Sequence, residues 1–226
     1  MKKWITFDCY GTLVDWRVGM SRSLDIIAPG RGMELLASHR RIEGEIETKE
    51  PYRPYREVLA ESVRRMAREL DITVSAGDEH ILSATLPFWP LYPDTNEALR
   101  ALKSQGWSLA ILSNVDRDLL AGTLRHFDVM FDLIVTAQDV LSYKPGDAHI
   151  RRFLDLTGAG RADWLHAAVN HEYDLVPGRR FGARCVWINR DRETVANDAG
   201  WLLADLSGMH GLPAVAARLA VEGSSS

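Results

Sequence analysis

The amino-acid sequence predicts an α/β fold: a doubly wound parallel sheet, Rossmann-like in its core, with an inserted helical cap. Three observations lead there. Short apolar runs alternate with helical patterns, the runs are continuously apolar as strands buried on both faces are, and one long block reads as helical throughout. Strand and helix in alternation imply parallel strands joined by crossovers.

The first run is "KWITFD" (3–8), and it ends at an acid before a glycine turn. The block that follows, 17–91, is too long to be a loop and is expected to be a cap packed over the carboxyl edge of the sheet. Within its segment "REVLAESVRRMAREL", Leu59, Val63, Met66 and Leu70 form an amphipathic stripe that reads as core. "DTNEALRALKSQG" (94–106) follows as a crossover helix, opening on a cap at Asp94 or Thr95 and closing at Gly106. Four more strands are expected at 107–114, 131–137, 164–170 and 183–189. The domain reading is therefore a core of 1–16 and 92–220, a cap of 17–91 and a disordered tail, "VEGSSS", at 221–226.

At 226 residues and 46% hydrophobic, the chain is long enough for an ordinary core. Its 27 basic residues against 31 acidic ones form no basic stripe, so nucleic acid is not expected as a partner. Cys9 and Cys185 lie far apart, no apolar run is long enough for a membrane, and no signal-peptide pattern is present. These features point to a reduced, cytoplasmic protein with no membrane partner. An apolar cap surface would support a homodimer, with no interface assigned.

Asp8 ends the first strand, where a carboxylate can serve as a nucleophile or merely cap the next helix. Three other strand ends finish in complementary polar groups. The second ends in Ser113 and Asn114, suited to holding a carboxylate or phosphate; "SYKPG" after the third offers Lys144; "NHEYD" after the fourth offers Asn170, His171 and Asp174. Singly, each has an ordinary structural reading. Together, on successive strand ends, they converge on one point and favour the nucleophile.

In this order, "FDCYGTLVDW", "LSN", "YKP" and "NHEYD" resemble the four motifs of the haloacid dehalogenase-like superfamily, over nearly the whole chain. Phosphatases of that superfamily carry a second aspartate two residues after the nucleophile, where this chain has Tyr10. A phenol, with an ordinary pKa of about 10, is poorly matched to general-acid work near neutrality. The first acid of the phosphatase's fourth motif is Asn170 here, so a magnesium site of Asp8 and Asp174 lacks a carboxylate. The pattern is similar to the L-2-haloacid dehalogenase branch, which acts on carbon without metal. The resemblance implies no cofactor and a small carboxylic-acid substrate. It implies that Asp8 attacks the carbon bearing the leaving group, forming an ester that water hydrolyses. Thr12 would orient Asp8, and Lys144 would keep it ionised by lowering its pKa. Ser113, Asn114 and backbone amides near Tyr10 would hold the substrate carboxylate, and Asp174 would fix Lys144 and help activate water. "APGRGMELLASHRR" is similar to the segment supplying the halide-binding arginine, which places that role on Arg40, with its neighbour Arg41 the other choice.

Three positions depart from the branch: Ile150 stands for a tyrosine, and Val169 and His171 for the serine and asparagine that serve the hydrolytic water. His171 is read as a proton relay near neutrality. Trp16 and Trp89, at the two hinges of the cap, are the tryptophans expected at the site. Rival readings are a hydrolase of another activated acid such as azetidine-2-carboxylate, a magnesium-dependent phosphatase, and a non-catalytic binding protein.

Overall fold

The computed structural model describes residues 2–49, 51–194 and 200–222. The apolar runs become β1 (Trp4–Phe7), β2 (Ser108–Ser113), β3 (Leu133–Thr136), β4 (Trp164–Ala168), β5 (Arg184–Ile188) and β6 (Ala204–Leu206). All pair in parallel, in the order β3-β2-β1-β4-β5-β6. The expected doubly wound sheet is thus present, with β1 between β2 and β4. β6 was not expected, because three residues with no fully buried member carry no readable period. Strand order reverses beside β1, and in such sheets the crevice for ligands opens at the carboxyl ends of the strands there.

Between β1 and β2 run α1 (Trp16–Ile27), α2 (Gly32–Glu47), α3 (Tyr55–Glu69) and the short α4 (Ile81–Thr85). The chain enters and leaves this helical insertion side by side. Asp15 N donates to Pro90 O (2.8 Å), and Tyr92 N and Thr95 Oγ1 both donate to Leu13 O (3.0 and 2.9 Å). On α3, Leu59, Val63 and Met66 are buried as their spacing requires, and Leu70 packs just past the helix end. α5 (Thr95–Ser104) buries Ala98, Leu99 and Leu102. Asp94 precedes it, but its carboxylate accepts from Arg190 Nη2 (2.9 Å) and Met209 N (2.8 Å) instead of capping.

The remaining helices are α6 (Arg117–Thr123), α7 (Ala137–Val140), α8 (Ala148–Thr157), α9 (Val176–Arg180) and α10 (Leu212–Glu222). Val221 and Glu222, expected in the tail, close α10; residues 223–226 lie outside the described residues. Among the described residues, no helix is long and apolar enough to cross a membrane.

Trp89 pins α1 to the outgoing hinge. Its indole Nε1 donates to Ser23 Oγ (3.2 Å), and its ring covers Gly19 so closely that a Cβ there would be driven into it. Gly19→Ala should therefore lower the unfolding free energy by about 1–3 kcal/mol, read from the urea midpoint at unchanged slope. An unchanged midpoint would mean that Trp89 moves aside freely.

Candidate active site

Asp8 follows β1 directly, and its carboxylate is buried at the carboxyl edge of the sheet. Gly11 takes φ +103°, a conformation that favours glycine, and a Cβ there would meet Val169 Cγ1 at 3.0 Å. The turn closes through Leu13 N to Cys9 O (2.8 Å) and brings Thr12 back beneath Asp8. Thr12 Oγ1 accepts from Val169 N (2.9 Å), which leaves its proton for Asp8 Oδ2 (2.9 Å). Cys9 is fully buried off the cavity, and burial pushes its thiol up.

Lys144 reaches in from the loop between α7 and α8. Its Nζ donates to Asp8 Oδ1 (2.8 Å), Asp174 Oδ1 (2.7 Å) and Leu112 O (3.1 Å), which accounts for all three of its protons. Asn114 braces that loop: its Oδ1 accepts from Lys144 N (2.8 Å) and its Nδ2 donates to Lys144 O (3.2 Å). Asp174 sits in a π-helical turn, His171–Leu175, after β4, and Asn170 Oδ1 caps that turn at Tyr173 N (2.8 Å).

Burial raises the Asp8 pKa above the ordinary 3.8; Lys144 opposes this and the charge of Asp174 adds to it. Lys144 thus lowers the Asp8 pKa in the direction expected of a neighbouring cation, but desolvation outweighs the ammonium and the net shift is upward. Burial also works against the charge of Lys144, yet Asp174 and Asp8 raise its pKa overall, so it stays an ammonium. Asp174 is pushed up by burial but falls below its ordinary value through Lys144 and His166, whose Nε2 lies 3.8 Å away. His166 is itself set by Thr6 Oγ1, 2.8 Å from Nδ1, which also accepts from Trp164 Nε1 (2.8 Å). His149, 3.2 Å from Ser113 O, is lowered to about 3 by burial and then by Lys144, and stays neutral.

A cavity of about 340 Å³ opens over Asp8, walled on one side by strand-end loops and on the other by α1 and α2. Trp16, Met20 and Trp89 supply apolar wall, so both hinge tryptophans reach it. Tyr10 lines it too, with its hydroxyl on Thr123 Oγ1 (2.9 Å) and its ring edge-on to Trp89, centroids 6.1 Å apart. Burial pushes the Tyr10 phenol well up, so it is no proton donor at neutrality. Ser113 and Asn170 lie on the wall, and the Ser113 hydroxyl has no partner among the described residues. Arg40 lines the cavity, its guanidinium 5.9 Å from the Trp16 ring, while Arg41 points away to Glu45 (3.0 Å) and Glu69 (2.7 Å).

One expectation needs correction. His171 is not on the cavity wall: its ring packs between Trp187 (5.6 Å) and Trp201 (5.5 Å), and its Nδ1 lies 3.0 Å from Glu172. Ile150 is also off the wall, buried in the core with Phe153, whereas Val169 does line the cavity. Sequence reasoning missed His39, Glu43, Glu47 and Tyr55, which line the cavity from α2 and α3. The signal was the helical spacing of Arg40, Glu43 and Glu47 on one face of α2.

Asp8 and Asp174 share the Lys144 ammonium, and among the described residues no group of three or more His, Cys, Asp or Glu is placed to hold a metal.

A family model described as haloacid dehalogenase-like hydrolase matches residues 2–182. An (S)-2-haloacid dehalogenase of Pseudomonas sp. (strain YL) is 30% identical over 195 residues, 83% of each chain. Two solved structures share the fold. One, the L-2-haloacid dehalogenase RSc1362, has a TM-score of 0.85 at 22% identity, covering 95% of this chain and 98% of that one. The other, the L-2-haloacid dehalogenase of Xanthobacter autotrophicus with chloropropionic acid covalently bound, has a TM-score of 0.82 at 19% identity, with coverage of 95% and 98%. With the match spanning most of the chain and the four motif ends gathered around one ammonium, the chain belongs to the haloacid dehalogenase-like hydrolases.

Proposed function

We propose that the protein hydrolyses (S)-2-halo acids to 2-hydroxy acids through an ester on Asp8, with helices of the 17–91 insertion acting as the cap. The observation that carries this reading is a buried Asp8 carboxylate, fixed by Lys144 and Thr12, facing a cavity in which the neighbouring phosphatase acid is replaced by Tyr10. Such a site can attack carbon, and it lacks the donor that a phosphate ester's leaving oxygen needs.

An Asp8 oxygen attacks C2 from the side opposite the halogen. The C–O bond forms as the carbon–halogen bond breaks, C2 inverts, and halide leaves with the bonding pair toward Arg40. The raised pKa of Asp8 makes it a better nucleophile than an exposed aspartate, and charged Lys144 balances it until the ester forms. Ser113 Oγ and backbone N–H groups near Tyr10 hold the substrate carboxylate, while Asn114 fixes the Lys144 loop. Water then adds to the Asp8 carboxyl carbon, and Lys144 stabilises the resulting oxyanion. Asp174 stays on Lys144 and aids removal of the water proton. Collapse breaks the bond between the Asp8 carboxyl carbon and the ester oxygen; that oxygen takes one of the water's protons and leaves as the hydroxyl of the 2-hydroxy acid, the other proton passes to solvent, and the Asp8 carboxylate is restored. His171 has no part in these steps. The chemistry needs no metal and suits a cytoplasmic enzyme with two free thiols.

Wild-type protein should release halide from short (S)-2-chloro acids, and Asp8→Asn should lose about 10³-fold or more of that rate, measured by halide titration. Release at equal rates from both proteins would reject Asp8 as the nucleophile. Arg40→Ala should cost roughly 10²-fold in kcat/KM, while Arg41→Ala, which breaks only exposed ion pairs, should change it by less than about threefold.

A further inference from the structure

The cavity is electrostatically lopsided for a substrate that is only an anion. Among the described residues, four carboxylates line it, Asp8, Glu43, Glu47 and Asp174, against two permanent cations, Arg40 and Lys144. Lys144 is already committed to Asp8 and Asp174. Glu43 and Glu47 stand one helical turn apart on the cavity face of α2 and play no part in the chemistry at Asp8.

Glu43 is held as an acceptor. Tyr55 OH donates to its Oε1 (2.6 Å), and His39 Nε2 lies 3.4 Å from the same oxygen. Burial pushes Glu43 up, but His39 and these hydrogen bonds bring it below the ordinary range. Glu47 has weaker support, from the charge of Lys144 and a hydrogen bond with Asn114. Among the described residues it forms no ion pair; burial and then the charge of Glu43 push its pKa well up, and the charge of Lys144 and the Asn114 hydrogen bond offset this only in part. A carboxylate in this position is costly unless a cation arrives to pair with it. Elsewhere on the same wall, Ser113, only 1% exposed, holds a hydroxyl with no partner among the described residues, which suits an anionic oxygen. The cavity therefore presents a donor for an anion and, separately, a pair of acceptors for a cation.

We propose that the substrate is a zwitterion: a short 2-halo acid bearing an ammonium group, its carboxylate at Ser113 and its ammonium at Glu43 and Glu47. This rests on the hydrolytic reading above and leaves its steps unchanged, because the ammonium keeps its protons and halide departs as before. An ammonium offers three donors to the two carboxylates and relieves the repulsion between them. Glu47 is then a specificity residue, acting on binding and not on the attack.

The test compares two ligands of equal heavy-atom count, 3-amino-2-chloropropanoate and 2-chlorobutanoate, titrated calorimetrically into the Asp8→Asn protein, so that no turnover intervenes. The amino acid should bind about tenfold or more tightly, as a charge-assisted bond predicts. That preference should collapse when Glu47→Gln is added and persist with Glu47→Asp, which keeps the charge. Equal or weaker binding of the amino acid, no measurable binding of it, or a preference that survives Glu47→Gln would overturn the proposal. Halide release by the wild type from either compound is read separately: its absence from both rejects the dehalogenase reading, while the affinity ratio still judges the cation site.

Discussion

The Lys144 ammonium, bonded at once to Asp8, Asp174 and the carbonyl of Leu112, is the interaction on which the rest of the site depends. It joins three stretches far apart in sequence, and it can do so because β1 lies between β2 and β4, so that the loops leaving these strands are neighbours. Removing it would leave two carboxylates buried together, a loss of about 3–5 kcal/mol by the usual cost of an orphaned buried charge. Much of the local structure serves to keep it in place: Asn114 clamps its backbone, Asn170 caps the turn carrying Asp174, and the Trp164–Thr6–His166 chain backs that aspartate from below.

Burial decides how this cluster behaves. Lys144 lowers the Asp8 pKa as a neighbouring cation should, but the sequence does not show how far burial opposes it. In the folded protein desolvation wins at Asp8 and loses at Asp174, where Lys144 and His166 act together. The two acids are thereby given different characters: Asp8 is the more basic, as the proposed attack on carbon requires, and Asp174 is the persistent anion that holds the lysine. Tyr10 completes the contrast, since its phenol is tied to Thr123 and raised further by burial.

The sheet was legible because its strands are buried on both faces and so appear as unbroken apolar runs; β6, three partly buried residues, left no such trace. The floor of the cavity was legible because Asp8 and Ser113 lie at strand ends and Lys144 and Asp174 follow in the segments after β3 and β4, and strand ends can be found from the runs themselves. His171 was misjudged for the same reason. It lies beside the fourth motif, but the wide turn that swings Asp174 inward carries His171 outward between Trp187 and Trp201, and no spacing rule distinguishes those two outcomes. On the insertion, the choice between Arg40 and Arg41 needed the packing of α2, which turns Arg40 over Trp16 and leaves Arg41 among surface acids. The same rotation puts Glu43 and Glu47 on the cavity, where their charge matters, although on a one-dimensional reading they look like ordinary solvated helix residues.

The central claim, that Asp8 forms the ester and water breaks it at the carboxyl carbon, is tested most directly by one turnover in heavy-oxygen water with enzyme in excess over (S)-2-chloropropionate. Mass spectrometry of the peptide containing Asp8 should find the label in its carboxylate, with the first 2-hydroxypropionate released unlabelled. Label appearing in that first product, with none on Asp8, would mean that water attacks the substrate directly and would contradict the account.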